Sequence, residues 1–325
     1  MNDAANRIWI LADDRAGNVN QAMGVAEAMN MPFRRIDINY TKLARLPNMV
    51  RSDTLIGIAG ESRARLVAPW PDLVISVGRR TVPVARWIKK QSGGRSKICQ
   101  IMRPDCDIRH FDLIAVPAHD SMDPAPNVLE TFGAAHRITD ARLDEAAQHW
   151  APVFGNLPKP LIAVSVGGNT KRTVFTSVMA TDLMDRSIDA VRKTGGSLLV
   201  TTSRRTGRDN EALIAAMLAQ SGVTYRLHDW TSADENPYFG YLALADILIV
   251  TGDSVSMCCE ACAAPGGVYI HAPDGIAAPR HQILHQALFD AGYARPLQGD
   301  ITPFDHPRLY PAQDIAKRCL ELLAS

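Results

Sequence analysis

The stretch Ile247 to Glu260, ILIVTGDSVSMCCE, holds an apolar run, a glycine, two residues able to cap a helix, and an acid about two turns further on. That order predicts a strand, a tight turn at Gly252, and a helix capped by Asp253 or Ser254. Such a turn aims unpaired N–H groups and the positive end of a helix dipole at whatever lies above the sheet, which suits a phosphate. Glu260 then stands where acids accept from a ribose hydroxyl in dinucleotide folds. An N-capped core helix with a solvated glutamate is the competing reading. Two further segments carry similar chemistry. In SVGGNTKRT, Gly167, Gly168, Asn169 and Thr170 form a glycine turn entering a helix, where small residues admit an anion and Lys171 or Arg172 adds charge. In TTSRRTGR, Ser203 is followed by Arg204 and Arg205, whose planar forks match two phosphate oxygens. Read singly, these are a plain tight turn and a solvated basic loop; read together, they point to a diphosphate site. SVGGNTKRT lacks the full phosphate-loop and dinucleotide spacing, so the ATPase and NAD readings lose weight.

The first half has its own polar strand ends: Asp13, Asp14, Arg15 and Gly17; Gly78, Arg79 and Arg80; Arg103 and Pro104; His119 and Asp120. Asp13 is the candidate general base for a hydroxyl acceptor, through a pKa raised by partial desolvation. Alternatively it caps the helix beginning near Gly17. Asp120 with His119 is a second acid/base candidate, ranked below Asp13. No His/Cys/Asp/Glu set has metal-ligand spacing and no GxSxG elbow occurs, so no metal site is expected and metal-dependent and covalent mechanisms are second choices.

These residues must be carried by strands that end at one edge of a sheet. Apolar runs at 7–12, 33–38, 72–77, 97–101 and 112–116 alternate with helical patterns at 17–30 and 82–91, while 40–66 is irregular with short helices. After a helix over 140–150, APVFGNLPKP breaks any continuous element, which predicts domains over 1–152 and 153–325, the final helix packing back on the first. The second series has strands at 161–166, 197–201, 223–227, 247–251 and 268–271. Its helices are expected at 171–193, 209–220, 238–245, 280–291 and 312–323. Two sequential βαβ series predict an α/β protein of two doubly wound domains.

The 325 residues carry 35 basic and 34 acidic side chains, which marks no nucleic-acid binder. The N-terminus has no signal-peptide core and no window escapes charge long enough to span a bilayer, so a cytoplasmic protein is expected. Six cysteines at 99, 106, 258, 259, 262 and 319 give one CxxC, read as core packing in a reducing compartment.

LADDRAGNVNQ (11–21), PDLVISVGRRT (71–81), CQIMRP (99–104), FDLIAVPAHD (111–120), NVLETFGA (127–134), SVGGNTK and NPYFGYLALADILIVTGDSVSMCCEA together resemble, in order and over nearly the whole chain, the mitochondrial-fission-factor-like family of bacteria and plants. The resemblance implies a GT-B-like fold: two Rossmann-like domains facing across a cleft, a nucleotide-sugar donor mainly on the second, an acceptor near the first. By that analogy Gly167, Gly168 and Asn169 approach the donor diphosphate with Arg204 and Ser254 or its neighbouring amides, and Glu260 holds the ribose. Thr170, Ser203, Arg205, Asn236, Pro237, Tyr238, Asp253, Ser256 and Met257 are assigned to the same nucleotide-sugar side. Asp13 is the base, and Gly17, Gln21, Gly78, Arg79, Arg103 and His119 line the acceptor side. The chain departs from the family pattern at Asp14, where glycine is common, at Ala16, where proline is common, and at Arg79, where histidine is often found. The histidine's role therefore does not transfer to Arg79.

The resemblance implies a metal-independent glycosyltransferase, with the nucleoside-diphosphate sugar as substrate and no cofactor. Its hydroxyl acceptor would belong to cell-envelope glycan assembly and be of the lipid-linked kind, with peripheral contact at the inner face of the membrane. A scaffold that recruits a protein partner is the alternative, since plant members act in organelle division through a dynamin partner. The epimerase activity ascribed to some bacterial relatives, in its NAD-using form, finds no GxGxxG after the first strand.

Overall fold

The computed structural model describes residues 7–324, which divide into two units, one built from the chain up to Arg137 and from Tyr310 onward, the other from Ile138 to Leu309. The first unit opens with β1 (Ile8–Ala12), α1 (Ala16–Ala28) and β2 (Arg34–Asp37). A long excursion follows, with a turn of 3-10 helix at Lys42–Arg45 and the short helices α2 (Asn48–Arg51) and α3 (Gly60–Arg63). Then come β3 (Leu73–Val77), α4 (Gly78–Gln91), β4 (Lys97–Ile101), β5 (Leu113–Pro117) and β6 (Val128–Thr131). The strands pair in parallel in the order β2-β1-β3-β4-β5-β6. Successive side chains of a strand point to opposite faces, and β1 obeys this. Ile8 and Ile10 join a core with Val25, Cys99 and Cys319, whereas Trp9 and Leu11 join one with Val82, Ala85 and Ile98. Because helices cover both faces, β1, β3 and β5 are buried throughout, which is why they read as unbroken apolar runs.

In the second unit α5 (Asp140–Phe154) leads into β7 (Leu161–Ser165), α6 (Ser177–Thr194), β8 (Ser197–Thr201), α7 (Arg208–Gln220), β9 (Thr224–His228), α8 (Tyr238–Leu244), β10 (Ile247–Thr251), α9 (Val255–Ala261), β11 (Gly267–His271), α10 (Pro279–Asp290) and β12 (Arg295–Pro296). The all-parallel order β12-β11-β10-β7-β8-β9 is the Rossmann order read from the far edge. The last helix, α11 (Pro311–Ala324), packs on α1 in the first unit.

Several expectations are corrected. The units divide at 137/138 rather than near 152, because α5 packs on α8: Trp150 stacks on Phe154 at 5.2 Å and Phe154 meets Tyr241 at 5.3 Å. Pro152 lies inside α5, so the proline-rich stretch leads into β7 instead of separating domains. Helix α6 starts at Ser177 and not at Lys171. The Thr170 hydroxyl accepts from the Arg172 and Thr173 amides, and Asn169 Oδ1 accepts from the Phe175 amide, local bonds that compete with the helix until Thr176 caps it. Helix α4 begins at Gly78, ahead of the expected 82, and strands β6 and β12 went unread.

Candidate functional site

In the second unit the chain reverses direction across the sheet between β7 and β10, and ligands of such sheets bind outside the strand ends at that switch. The loop after β7 and the turn after β10 meet there. Asp253, fully buried, accepts from the Gly168 amide at 3.0 Å and from Arg205 Nη1 at 2.6 Å through the same oxygen, Oδ2. A Cβ on Gly167 would collide with that carboxylate, and one on Gly168, at φ +145°, would collide with the Arg205 carbonyl. Gly252 is required by a third approach, the His285 ring, which would stand 2.6 Å from an added Cβ. Thr251 Oγ1 accepts from the Gly167 amide at 2.7 Å, while the Ser203 hydroxyl donates to the Gly167 carbonyl at 2.8 Å.

This tight assembly corrects the phosphate reading in part. The amides of Gly167, Gly168, Asn169 and Thr170 are all used inside the protein, by Thr251, Asp253, the Arg205 carbonyl and the Thr173 carbonyl. Arg205 is tied to Asp253, which leaves Arg204, exposed beside it, as the cation that faces solvent. Ser254 caps α9 through the Met257 amide at 3.4 Å, and α9 has seven residues, too few for a strong macrodipole. Lys171 and Arg172 lie in an exposed turn rather than on a helix.

Glu260 sits near the end of α9, its Oε2 accepting from the Tyr238 hydroxyl at 2.6 Å. Burial raises its pKa to about 7, against the lowering effect of the tyrosine. Asn236 Oδ1 accepts from the Tyr238 amide at 3.0 Å, and Pro237 precedes α8 as a buried residue, so this turn aims the tyrosine at Glu260. Ser256 and Met257 occupy the first turn of α9, each partly buried.

In the first unit the switch lies between β1 and β3. Asp13, 2% exposed at its side chain, follows β1; Arg80 follows β3. Asp13 Oδ1 accepts from the Arg15 amide at 3.0 Å, while Oδ2 accepts from Asn18 Nδ2 at 3.0 Å and Arg80 Nη2 at 3.2 Å. Arg80 also pairs with the exposed Asp14, whose pKa its hydrogen bond lowers, and lies 4.4 Å over the Tyr40 ring. Gly78, at φ +68°, leaves room for Asn18, which would stand 3.0 Å from an added Cβ. Asp13 is thus a paired carboxylate that turns the chain ahead of α1. The helix-cap alternative is corrected too, because Arg15 occupies the cap position without a side-chain bond.

The remaining acceptor-side candidates scatter along the same edge. Gly17 is in the first turn of α1, and Gln21, one turn on, is buried with Oε1 lacking a protein partner. Arg79 is exposed, its carbonyl accepting from Asn48 Nδ2 at 2.8 Å. Arg103 donates to the Ser121 carbonyl at 2.8 Å, pinning the turn that holds buried His119 and Asp120 after β5. Three strand spacings of about 4.8 Å separate the ends of β1 and β5, so Asp13 and Asp120 cannot act on one atom.

Sequence reasoning missed the pair of His271, at the end of β11, with Asp182 on α6, 2.9 Å apart. Burial lowers the pKa of His271, opposed by Asp182, whose own pKa is lowered chiefly by Arg186. Its signal is a histidine at a strand end, but the partner lies 89 positions away. Thr206, whose hydroxyl donates to the Gly167 carbonyl at 2.6 Å, was also missed. Among the described residues no three His, Cys, Asp or Glu side chains gather as for a metal ion, and no helix is long and apolar enough to cross a membrane.

Comparison with known proteins agrees with the fold. The Rickettsia prowazekii protein called "Uncharacterized protein RP120" is 29% identical, over 97% of either chain. The Arabidopsis thaliana "Mitochondrial fission protein ELM1" is 30% identical over 240 residues, 67% of this chain and 55% of the plant protein. Among solved structures, a UDP-GlcNAc 2-epimerase from Methanocaldococcus jannaschii superposes with a TM-score of 0.56 at 10% identity, covering 98% of this chain and 99% of that one. One from Neisseria meningitidis bound to UDP-GlcNAc gives 0.54 at 12% identity, with the same coverage. At such identity these two show a shared GT-B-like, two-Rossmann-unit architecture and nothing of activity. Residues 16–323 match the family described as "Mitochondrial fission ELM1", and the chain belongs to that family.

Proposed function

We propose that the protein is a metal-independent glycosyltransferase that takes a sugar from a nucleoside-diphosphate donor held by the second unit and passes it to a hydroxyl acceptor. The observation that carries the reading is the switch between β7 and β10, where Arg204 stands exposed beside the Gly167–Gly168 loop. An exposed guanidinium at a strand end matches the charge that develops on a diphosphate leaving group. Glu260, oriented by Tyr238, supplies the acceptor for ribose hydroxyls. Two of the solved neighbours are described as bound to UDP-GlcNAc, which makes a uridine diphosphate sugar the first donor to try.

Asp13 is the proposed base toward the acceptor. A carboxylate offers about four lone-pair positions and three are occupied by Arg15, Asn18 and Arg80, so one remains for a hydroxyl. The proton would pass from the hydroxyl to Asp13 as the oxygen attacks the anomeric carbon, the C–O bond to the diphosphate breaks, and the diphosphate leaves with the electron pair.

A second reading, a scaffold that recruits a protein partner, is favoured by the internal use of the 167–170 amides, since a self-satisfied loop needs no ligand. Isothermal titration of the purified protein with UDP, GDP, ADP, CMP and the corresponding sugars separates the two. Heat from one nucleotide, lost in Glu260→Ala, supports transfer; silence across the whole panel leaves the scaffold.

A further inference from the structure

Residues 38–72, between β2 and β3, form no strand beyond a single bridge of Tyr40 with Ile58; Ile38, Ile58 and Leu66 join the core, but the short helix α2 inverts the usual hydrophobic pattern. In α2 the polar residues face inward: Asn48 is 2% exposed and Arg51 wholly buried, whereas Met49 is 85% and Val50 60% exposed. An amphipathic helix meant for water places these the other way round. The inversion follows from what the polar residues do. Asn48 Nδ2 donates to the Arg79 and Pro104 carbonyls at 2.8 Å each, and Arg51 Nε donates to the Ile56 carbonyl at 3.1 Å. Thr41 donates its amide to the Gly57 carbonyl at 2.9 Å, which brings Leu43, 56% exposed, into the same small lobe.

The lobe is also basic. Residues 40–70 carry five cations (Lys42, Arg45, Arg51, Arg63, Arg65) against two acids (Asp53, Glu61), in a chain whose net charge is +1. Lys42 and Arg45 flank Leu43, both exposed, and among the described residues neither is paired with a carboxylate. Protruding apolar side chains and unneutralised cations carried by one short segment complement the acyl boundary and phosphates of a lipid surface. The geometry points to this lobe as the surface by which the first unit docks on an anionic phospholipid bilayer, Leu43, Met49 and Val50 entering the interface while Lys42 and Arg45 meet the phosphates. The Asn48 bonds join the lobe to the segments following β3 and β4, so docking sets the edge that carries Arg79 and Arg103 beside the lipid. This inference stands apart from the nucleotide-sugar reading, because vesicle binding is measured without nucleotide.

The test is flotation of the full chain with phosphatidylcholine vesicles, with and without phosphatidylglycerol, at low and high salt. The wild type is expected to float with the anionic vesicles, about tenfold more than with the neutral ones. Met49→Asp with Val50→Asp lowers flotation by about tenfold at either salt, and Lys42→Glu with Arg45→Glu reduces it to the neutral-vesicle level. All four positions are exposed, and an unchanged thermal midpoint verifies the fold of each variant. No flotation of the wild type with anionic vesicles overturns the proposal, as does flotation of both variants equal to the wild type. Sedimentation supplies another adverse outcome: an aspartate pair that splits a dimer and leaves flotation unchanged would assign the face to a second copy of the chain.

Discussion

Both units close their topological switch with an aspartate–arginine pair, but the pairs span different distances in the sheet. In the first unit Asp13 and Arg80 come from β1 and β3, which are adjacent, so nothing lies between them. In the second, Asp253 follows β10 and Arg205 follows β8, with β7 between. The pair therefore crosses the Gly167–Gly168 loop, and the loop must be glycine because a carboxylate and a carbonyl press on it. The first unit pairs side chains directly at its switch, whereas the second packs its pair across a backbone loop whose amides are already bonded.

The comparison is broken or sharpened first at the glycines. Gly168→Ala places a Cβ against the Arg205 carbonyl at a φ that only glycine adopts readily, which costs about 3 kcal/mol or more. Gly78→Ala meets only the movable Asn18 amide and costs about 1 to 2 kcal/mol. Equal losses in urea unfolding would erase the contrast. Next come the carboxylates. Asp253→Ala strands Arg205 and the Gly168 amide, for ~2 to 4 kcal/mol, an amount held below a fully buried pair because Arg205 is 35% exposed. Asp13→Ala costs ~1 to 2 kcal/mol, since Arg80 keeps Asp14.

Glu260 gives a pH signature that the first unit has no reason to share. Its pKa of about 7, against an ordinary 4.5, means the folded protein holds a proton that the unfolded chain has released. Its stability contribution is therefore full below 4.5 and lost as pH rises through about 7. Ribose hydroxyls favour the ionised form, so nucleotide affinity should rise with pH through about 7 and then level. Glu260→Gln should flatten that profile and weaken binding by ~1.5 to 3 kcal/mol. Titration calorimetry on either side of about pH 7 measures both. The smallest effect on stability belongs to Arg204→Ala, within about 0.5 kcal/mol because the side chain is exposed. The same variant should weaken a nucleoside diphosphate by about tenfold, a split between stability and binding that Arg205→Ala would not show.

Much of this was legible before any coordinates. The buried strands β1, β3, β4, β7, β8 and β10 announce themselves as short β-rich runs because helices cover both sheet faces. Strand ends then led to Asp13, Gly167, Asp253 and Glu260 without a structure. What resisted was anything dependent on a distant partner. Edge strand β6 is a strand by virtue of pairing with β5, and Lys171 to Thr176 read as helix until the Asn169 and Thr170 side chains captured their amides.

The sequence alone determined the alternation of strand and helix, the family, and which residue types stand at the carboxyl ends of the strands, because periodicity and turn chemistry are local properties of the chain. Only the tertiary structure decided which of those groups are already spent. Whether Asp13, Arg205 and the 167–170 amides face a ligand or one another depends on strand order, which places residues tens of positions apart within a hydrogen bond's length.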